Sequence, residues 1–205
     1  MEKALILVDI QNDFLPGGAL AVDRGDEIIG IVNKAMQYFH HVIATKDWHP
    51  ADHASFASQH EGKNPGEFIE LDGLDQVLWP DHCVKGSPGA EFAPALDVSK
   101  ITKIIKKGLD RKVDSYSAFF DNAHRNDTGL NDYLRSIKVN DLYLSGLATD
   151  YCVKYSALDS VNLGFKTSII IEGVRGVELN AGDCEAAIDE MKAAGVKVIS
   201  IRDLA

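Results

Sequence analysis

The segment Gly146-Leu147-Ala148-Thr149-Asp150-Tyr151-Cys152 decides the fold, because a strand pattern ends before it and a helix pattern begins after it. Residues 141–145 form a short apolar run, which is typical of a buried strand. From residue 153 to 161 the apolar residues recur at helical spacing. The pattern therefore predicts a strand-to-helix turn, with Thr149 as the N-cap and Cys152 in the first turn of the helix.

A cysteine in such a turn has two interpretations. The free N–H groups and the dipole of a helix N-terminus favour a thiolate, and the same N–H groups can stabilise an oxyanion. A free cysteine is, however, most often a small buried hydrophobic residue. Cys152 alone does not decide between a nucleophile and a packing residue, so the ends of the other strands must be considered.

Strand and helix patterns alternate along the whole chain, which predicts an α/β fold with a mostly parallel sheet. Residues 47–98 show no sustained period, and an irregular stretch of this length in a compact domain is usually functional. No linker or repeat interrupts the chain, so a single domain over residues 1–205 is expected. The six predicted strands are 3–10, 41–45, 100–106, 141–145, 166–171 and 196–201, and the predicted helices are 23–39, 128–137, 153–163 and 180–194.

The composition excludes several classes of protein. The 205 residues carry a formal net charge of −10, which argues against binding nucleic acid or an anionic membrane through bulk charge. Three cysteines, an odd and sparse set, do not form a disulfide framework and fit a reducing compartment. No apolar run is long enough to span a bilayer. The expected location is the cytoplasm.

Chemically useful side chains follow consecutive predicted strands. Asp9 follows the first strand, Lys107 the third and Cys152 the fourth. In an open parallel sheet, ligands bind beyond the carboxyl ends of the strands, so these residues are expected to converge. Together they would form an acid–base and nucleophile set. The alternatives are a structural cap for Asp9 and a solvated lysine pair, with Lys106 as the second choice for the inward lysine.

The second strand is followed by Asp47 and His49, which are suitable first ligands for a divalent metal. A third ligand must come from the long irregular stretch, which contains His53, His60 and His82. His82 lies in a rigid segment with an aromatic residue and a proline just before it. An Asp/His/His site with open positions suits Zn, Fe or Mn. The alternative is that these are solvated surface histidines.

Six segments of the chain are specific in combination: Asp9–Phe14, Lys46–His53, Trp79–Cys83, Lys107–Gly108, Asp114–Asn122 and Gly146–Val153. Together they resemble the nicotinamidase/pyrazinamidase branch of the isochorismatase-like cysteine hydrolases. The resemblance covers essentially the whole chain, in order. It implies a six-stranded, mostly parallel sheet with helices on both faces, a Rossmann-like three-layer α/β/α arrangement. It also implies hydrolysis of nicotinamide to nicotinate and ammonia in NAD salvage, and of pyrazinamide as well.

The resemblance also implies roles for individual residues. Cys152 is expected to be the nucleophile, Asp9 the general base and Lys107 the third member of the set. A cis peptide between Leu147 and Ala148 is expected to direct the N–H groups of Ala148 and Cys152 at the oxyanion.

The resemblance further implies one divalent metal ion that orients nicotinamide through its ring nitrogen, and it leaves a homo-oligomer open. His53 is a further candidate ligand, because some relatives have an additional histidine. The expected metal ligands are Asp47, His49 and His82, and the expected ring-binding residues are Phe14, Leu20, Trp79 and Tyr116.

Two other functions remain to be weighed. Another hydrolase of the same superfamily, acting on isochorismate, a carbamoyl amine or a ureido compound, would share the nucleophile region but generally lacks this Asp/His/His cluster. A metal- or redox-sensing protein could use Cys152 as a sensor thiol. Sensing requires neither Asp9 nor Lys107, so their position at the strand ends favours the enzyme.

Overall fold

The computed structural model describes residues 2–204 and shows a six-stranded sheet between helices. The described residues form eight strands and four α-helices. The strands are β1 (Glu2–Val8), β2 (His41–Asp47), β3 (Phe68–Leu71), β4 (Leu74–Val77), β5 (Lys103–Lys107), β6 (Val139–Leu147), β7 (Lys166–Arg175) and β8 (Lys197–Ile199). The helices are α1 (Ile28–Ala35), α2 (Leu130–Ser136), α3 (Lys154–Asn162) and α4 (Asp183–Ala193).

The main sheet has the strand order β5-β2-β1-β6-β7-β8, and every neighbouring pair in it is parallel. The predicted α/β fold with a parallel sheet is confirmed. After β1, the next strands of the main sheet, β2 and β5, are added on one side of it. After β6, strands β7 and β8 are added on the opposite side. The order therefore reverses between β1 and β6, and such a switch point is where open α/β sheets bind their ligands.

Helices cover both faces of the sheet and bury two separate hydrophobic cores. In β1, Leu5 and Leu7 face the core under α1, whereas Ala4, Ile6 and Val8 face the core under α2, α3 and α4. Burial on both faces explains why β1 is an uninterrupted apolar run rather than an alternating one.

The long irregular stretch contains a hairpin that the sequence analysis did not predict. Strands β3 and β4 pair antiparallel, apart from the main sheet. Their burial is weak, and Phe68 is 64% exposed, so no strong apolar alternation marks them. The predicted helix over 23–39 is also shorter than expected, because α1 is flanked by two single 3₁₀ turns, Gly25–Glu27 and Met36–Tyr38. Within residues 2–204, no helix has the length and apolarity needed to cross a membrane.

The turn that carries Cys152 differs in detail from the prediction. Residues Thr149–Val153 form a π-helical turn that leads into α3, and Val153 N–H donates to the Ala148 carbonyl at 3.0 Å. Ala148 occupies the N-cap position, so the prediction of Thr149 as the cap is wrong. The wider turn starts one residue earlier than side-chain capping preferences suggest, and no side-chain hydrogen bond caps it. The Leu147–Ala148 peptide is cis.

Candidate active site

Asp9, Lys107 and Cys152 meet at the switch point of the sheet. The Lys107 ammonium lies 2.9 Å from Asp9 Oδ2 and 3.4 Å from Cys152 Sγ, and it donates to the Ser115 carbonyl at 2.8 Å. All three side chains are buried. Lys106 points away from this cluster and lies 4.0 Å over the Trp48 ring. Of the two lysines, Lys107 is therefore the one in the site.

Close contact between β1 and β6 brings Asp9 and Cys152 to the same place. Gly146 has a φ of +134°, and a Cβ there would lie 2.1 Å from the Val8 carbonyl oxygen, so only glycine allows the strands to approach. Asp9 itself adopts a left-handed φ of +49°. Thr45 holds it there, because its hydroxyl accepts from Asp9 N–H at 3.1 Å and contacts Asp9 Oδ1 at 2.5 Å.

Burial sets the protonation states in this cluster. It raises the pKa of Cys152 well above the usual thiol range, against the lowering effect of Lys107. The lowering effect expected of the helix start is therefore outweighed by burial in the free protein. Burial also raises the pKa of Asp9 to about 6, although the Lys107 charge opposes it. A protonated thiol thus lies beside a carboxylate that can accept its proton near neutral pH.

The pKa of Asp9 predicts the acid limb of the pH profile. Since the carboxylate is the form that accepts a proton, the kcat/KM of a reaction that uses Asp9 as its base should fall as the pH drops below about 6. Thr45→Val removes a hydrogen bond that lowers the pKa of Asp9, so its acid limb should move to higher pH. The measurement is kcat/KM against pH for both proteins. Thr102→Val removes a hydroxyl that bonds to the Val42 carbonyl, and it should leave the limb in place. An unmoved limb in Thr45→Val would contradict this assignment.

Asp47, His49 and His82 form a second cluster next to the first. Asp47 Oδ2 lies 3.6 Å from His49 Nε2 and 3.8 Å from His82 Nε2. Each histidine uses its other nitrogen for a carbonyl contact, at 3.1 Å to Gly108 and at 2.8 Å to Pro80. The buried His49 Nε2 has no hydrogen-bond partner within residues 2–204. The donor atoms of the three residues converge, and a carbonyl oxygen holds the second ring nitrogen of each histidine. The cluster therefore fits one divalent ion.

Backbone pairing brings the two histidines together across 33 positions of sequence. His49 N–H donates to the Cys83 carbonyl at 3.0 Å, and the His49 carbonyl accepts from Lys85 N–H at 2.8 Å. On the other side of the His49 ring lies Gly108, with a φ of +66°. A Cβ at Gly108 would lie 2.4 Å from the ring, so this glycine leaves room for the histidine.

Asp47 belongs to both clusters. Its Oδ1 accepts from Lys107 at 2.5 Å, while its Oδ2 faces the two histidines. Burial alone would raise its pKa, but Lys107 and His49 lower the pKa well below the usual range, so the carboxylate stays ionised. Burial and the nearby His49 lower the pKa of His82 to about 4. A neutral imidazole is the form that binds a metal.

The remaining histidines of the long stretch have different surroundings. His53 is buried, with its ring centroid 4.4 Å from that of His49, and its Nδ1 accepts from Ser55 N–H at 3.2 Å. Its Nε2 has no partner among the described residues. His53 and His49 also lie close enough to Asp114 to form a second possible ligand group. His60 contacts the Ala54 carbonyl at 2.7 Å and belongs to none of these possible ligand groups.

A small cavity opens beside Cys152 and is walled by aromatic rings. Trp79 and Tyr151 pack edge to face with centroids 4.9 Å apart, and Trp79 Nε1 donates to the Tyr116 hydroxyl at 3.2 Å. All four side chains predicted to bind a ring line the cavity, together with members of both clusters. Its lining is Phe14, Leu20, Asp47, Trp79, His82, Asp114, Tyr116, Ala148, Tyr151, Cys152 and Val177.

Comparison with known proteins assigns this arrangement to a family. The model of the isochorismatase domain matches residues 3–203. A nicotinamidase from Escherichia coli is 48% identical over 98% of this chain and 96% of its own length. The chain belongs to the isochorismatase family.

Two solved structures of the family are also similar. A nicotinamidase pyrazinamidase from Acinetobacter baumanii is 46% identical, with a TM-score of 0.97 over 100% of this chain and 98% of its own. The pyrazinamidase of Pyrococcus horikoshii in complex with zinc is 37% identical, with a TM-score of 0.81 over 98% and 99%.

Three residues that line the cavity of this isochorismatase-family chain were not predicted: Asp114, Tyr151 and Val177. Tyr151 directly precedes the cysteine, and Asp114 begins a segment already noted in the sequence, so both could have been proposed. Val177 lies in the connection after β7, and no feature of its local sequence distinguishes it.

Proposed function

We propose that the chain is a nicotinamidase that hydrolyses nicotinamide to nicotinate and ammonia, and also hydrolyses pyrazinamide, as a step of NAD salvage. The observation that carries this proposal is the aromatic cavity, whose lining includes Cys152 of the first cluster and both Asp47 and His82 of the second. A flat heteroaromatic amide needs these features together: apolar walls, a nucleophile and a ligand position for its ring nitrogen. Two relatives that are 48% and 44% identical support it, since both are named nicotinamidases.

The chemistry begins with the Cys152 thiol. Asp9 takes the thiol proton as Cys152 Sγ forms a bond to the carboxamide carbon. The carbonyl oxygen becomes an oxyanion, for which we assign the N–H groups of Ala148 and Cys152 at the cis turn. Lys107 remains protonated, because Asp47 and Asp9 raise its pKa although burial alone would lower it. Its charge holds the Asp9 carboxylate beside the sulfur.

The intermediate then breaks down in two stages. Protonated Asp9 gives its proton to the amide nitrogen, the C–N bond breaks, and ammonia leaves a thioester on Cys152. Asp9 next takes a proton from water, whose oxygen attacks the thioester carbonyl. The C–S bond breaks, nicotinate is released, and the proton on Asp9 returns to the sulfur. One carboxylate thus acts as base and acid in turn.

We assign Asp47, His49 and His82 as the ligands of one divalent ion, with zinc, iron and manganese as the candidates. When bound, such an ion supplies a Lewis-acid position for the pyridine nitrogen and so orients the ring. The zinc complex of the pyrazinamidase named above supports zinc. The buried, unpartnered Nε2 of His53 makes this histidine a candidate for an additional ligand.

An ammonia-release assay tests this function. Nicotinamide should be hydrolysed, whereas benzamide, which has the same amide but no ring nitrogen, should be poorer by on the order of 10²-fold in kcat/KM. A chelator should remove most of the activity on nicotinamide and reduce the difference in kcat/KM between nicotinamide and benzamide. His82→Ala should lose metal, while His60→Ala, a histidine of the same stretch outside the site, should keep it.

Two results would contradict the proposal. Equal hydrolysis of both amides, with one equivalent of metal retained by His82→Ala, would contradict the ligands and the orienting role. Absence of ammonia release from nicotinamide, with turnover of isochorismate, a carbamoyl amine or a ureido compound, would favour the other hydrolases. The sensor hypothesis requires no turnover of any amide.

Three further assignments accompany the function. We propose a single domain over residues 1–205, which the match of one family model to residues 3–203 supports. We propose a cytoplasmic location, which three cysteines without disulfide bonds support. A homo-oligomer stays a prediction that sedimentation or light scattering of the purified protein can test.

A further inference from the structure

The loop that follows β1 contacts more than the catalytic cluster. Its first residue is Asp9, and two of the next four side chains reach segments that carry the proposed metal ligands. Gln11 contacts the backbone of Asp47, and Asp13 contacts the backbone just after His82. The inference below rests on the metal ligands named in the proposed function.

Gln11 binds the backbone of Asp47 at two points. Its Oε1 accepts from Asp47 N–H at 2.8 Å, and its Nε2 donates to the Asp47 carbonyl at 2.8 Å and to the Ala90 carbonyl at 2.9 Å. The Gln11 side chain is fully buried. Its own N–H donates to the Asp9 carbonyl at 2.9 Å. Gln11 thus fixes the peptide units on both sides of the Asp47 α-carbon relative to the loop.

Asp13 holds the turn that presents His82. Its Oδ2 accepts from Cys83 N–H at 2.7 Å. Cys83 has a left-handed φ of +46°, which a non-glycine residue adopts only when its surroundings hold it there. A hydrogen bond to a carboxylate is stronger than one between neutral groups, so Asp13 stabilises this turn. Gly89 lies against the same carboxylate, and a Cβ there would be 2.0 Å from Asp13 Oδ2.

We propose that Gln11 and Asp13 are positioning residues for the metal site: Gln11 fixes the segment of Asp47, and Asp13 fixes that of His82. Asp47 and His82 are far apart in sequence, and the backbone pairing of His49 with Cys83 and Lys85 joins their segments. A support common to both segments further fixes the relative position of the two ligands. The loop after β1 provides that support, because both positioning residues lie on it, two positions apart. Groups that orient metal ligands typically change metal affinity by about 10–100-fold when they are removed.

The test measures Zn²⁺ affinity by competition with a chromophoric chelator. Gln11→Met and Asp13→Ala should each bind Zn²⁺ about 10–100-fold more weakly than wild type. Asp13→Asn keeps an oxygen that can accept from Cys83 N–H, so it should recover much of the loss. The control is Asn12→Ala, which removes the bond from Asn12 Nδ2 to the Pro88 carbonyl in the same loop and should bind Zn²⁺ like wild type.

A second readout separates positioning from general stability. The Tm of each variant is measured in its metal-free form and with saturating Zn²⁺, and the increment caused by Zn²⁺ is compared. A purely structural role would lower both Tm values equally and leave the increment unchanged, whereas weaker binding lowers the increment. If Gln11→Met and Asp13→Ala do not fold, Gly89→Ala decides, because its Cβ displaces the Asp13 carboxylate and should weaken Zn²⁺ binding.

Wild-type affinity in the folded variants, or an equal loss in Asn12→Ala, would overturn this inference. These outcomes can be distinguished from a failure of the proposed function. Wild-type protein that hydrolyses nicotinamide while Gln11→Met keeps its Zn²⁺ would contradict only the positioning role. Loss of Zn²⁺ from Gln11→Met in a protein without amidase activity would leave the positioning role intact.

Discussion

Cys152→Ala is expected to abolish hydrolysis of nicotinamide, with a loss of kcat on the order of 10⁶-fold, as when a nucleophile is removed. The reason is that Cys152 supplies the thiol beside Asp9 and Lys107 that forms the covalent intermediate. Nicotinamide binding, measured by calorimetry on the metal-loaded variant, should persist, because the walls and metal ligands are unchanged. Substantial residual turnover would show that Cys152 is not the nucleophile.

Alkylation by iodoacetamide provides a control for this assignment. Cys152 should react faster than Cys83 and Cys184, because its sulfur lies 3.4 Å from the Lys107 ammonium and beside Asp9, whose pKa of about 6 allows it to accept the thiol proton. Cys83 is fully buried, and burial raises its pKa far above the usual range. Burial raises the pKa of Cys184 to about 12. Comparable labelling of all three cysteines would contradict a special reactivity at Cys152.

Asp9→Asn should lower kcat by about 10²–10⁴-fold or more, because it keeps the shape of the side chain but removes the proton acceptor. The variant should also slow the alkylation of Cys152. Since Asp9 acts through the sulfur, the double variant with Cys152→Ala should be no less active than Cys152→Ala alone. A double variant that loses far more than either single one would show that the two residues act independently.

The sequence was sufficient to predict the architecture and to name side chains that the structure brings together, for reasons that are visible in particular residues. The apolar run before Asp9 requires a strand buried on both faces, and a parallel sheet then places the following residue at its carboxyl edge. Lys106 and Lys107 could not be separated by this logic alone. Only the pleat of β5, which buries Lys107 and turns Lys106 towards Trp48, distinguishes them.

Other features depend on packing that local patterns do not encode. The hairpin of β3 and β4 has too little burial to produce an apolar alternation. The high pKa of Cys152 arises from the many side chains that exclude water around it, whereas the helix start suggested the opposite. The π-helical turn also has no distinctive sequence signal, so the capping preference of Thr149 misplaced the start of the helix by one residue.

The two oxygens of the Asp47 carboxylate face different clusters, and this constrains which substitutions the site can accept during evolution. Substituting Asp47 removes a metal ligand and also leaves the buried ammonium of Lys107 with one fewer counter-ion, which is costly for a charge without access to water. Substituting His49 or His82 removes a metal ligand but no counter-ion of Lys107. A descendant lineage that abandons the ion is therefore expected to lose the histidines first and to retain the aspartate as a charge partner. The aspartate at position 47 would then remain in an enzyme that descends from a metal-binding ancestor but no longer binds a metal ion.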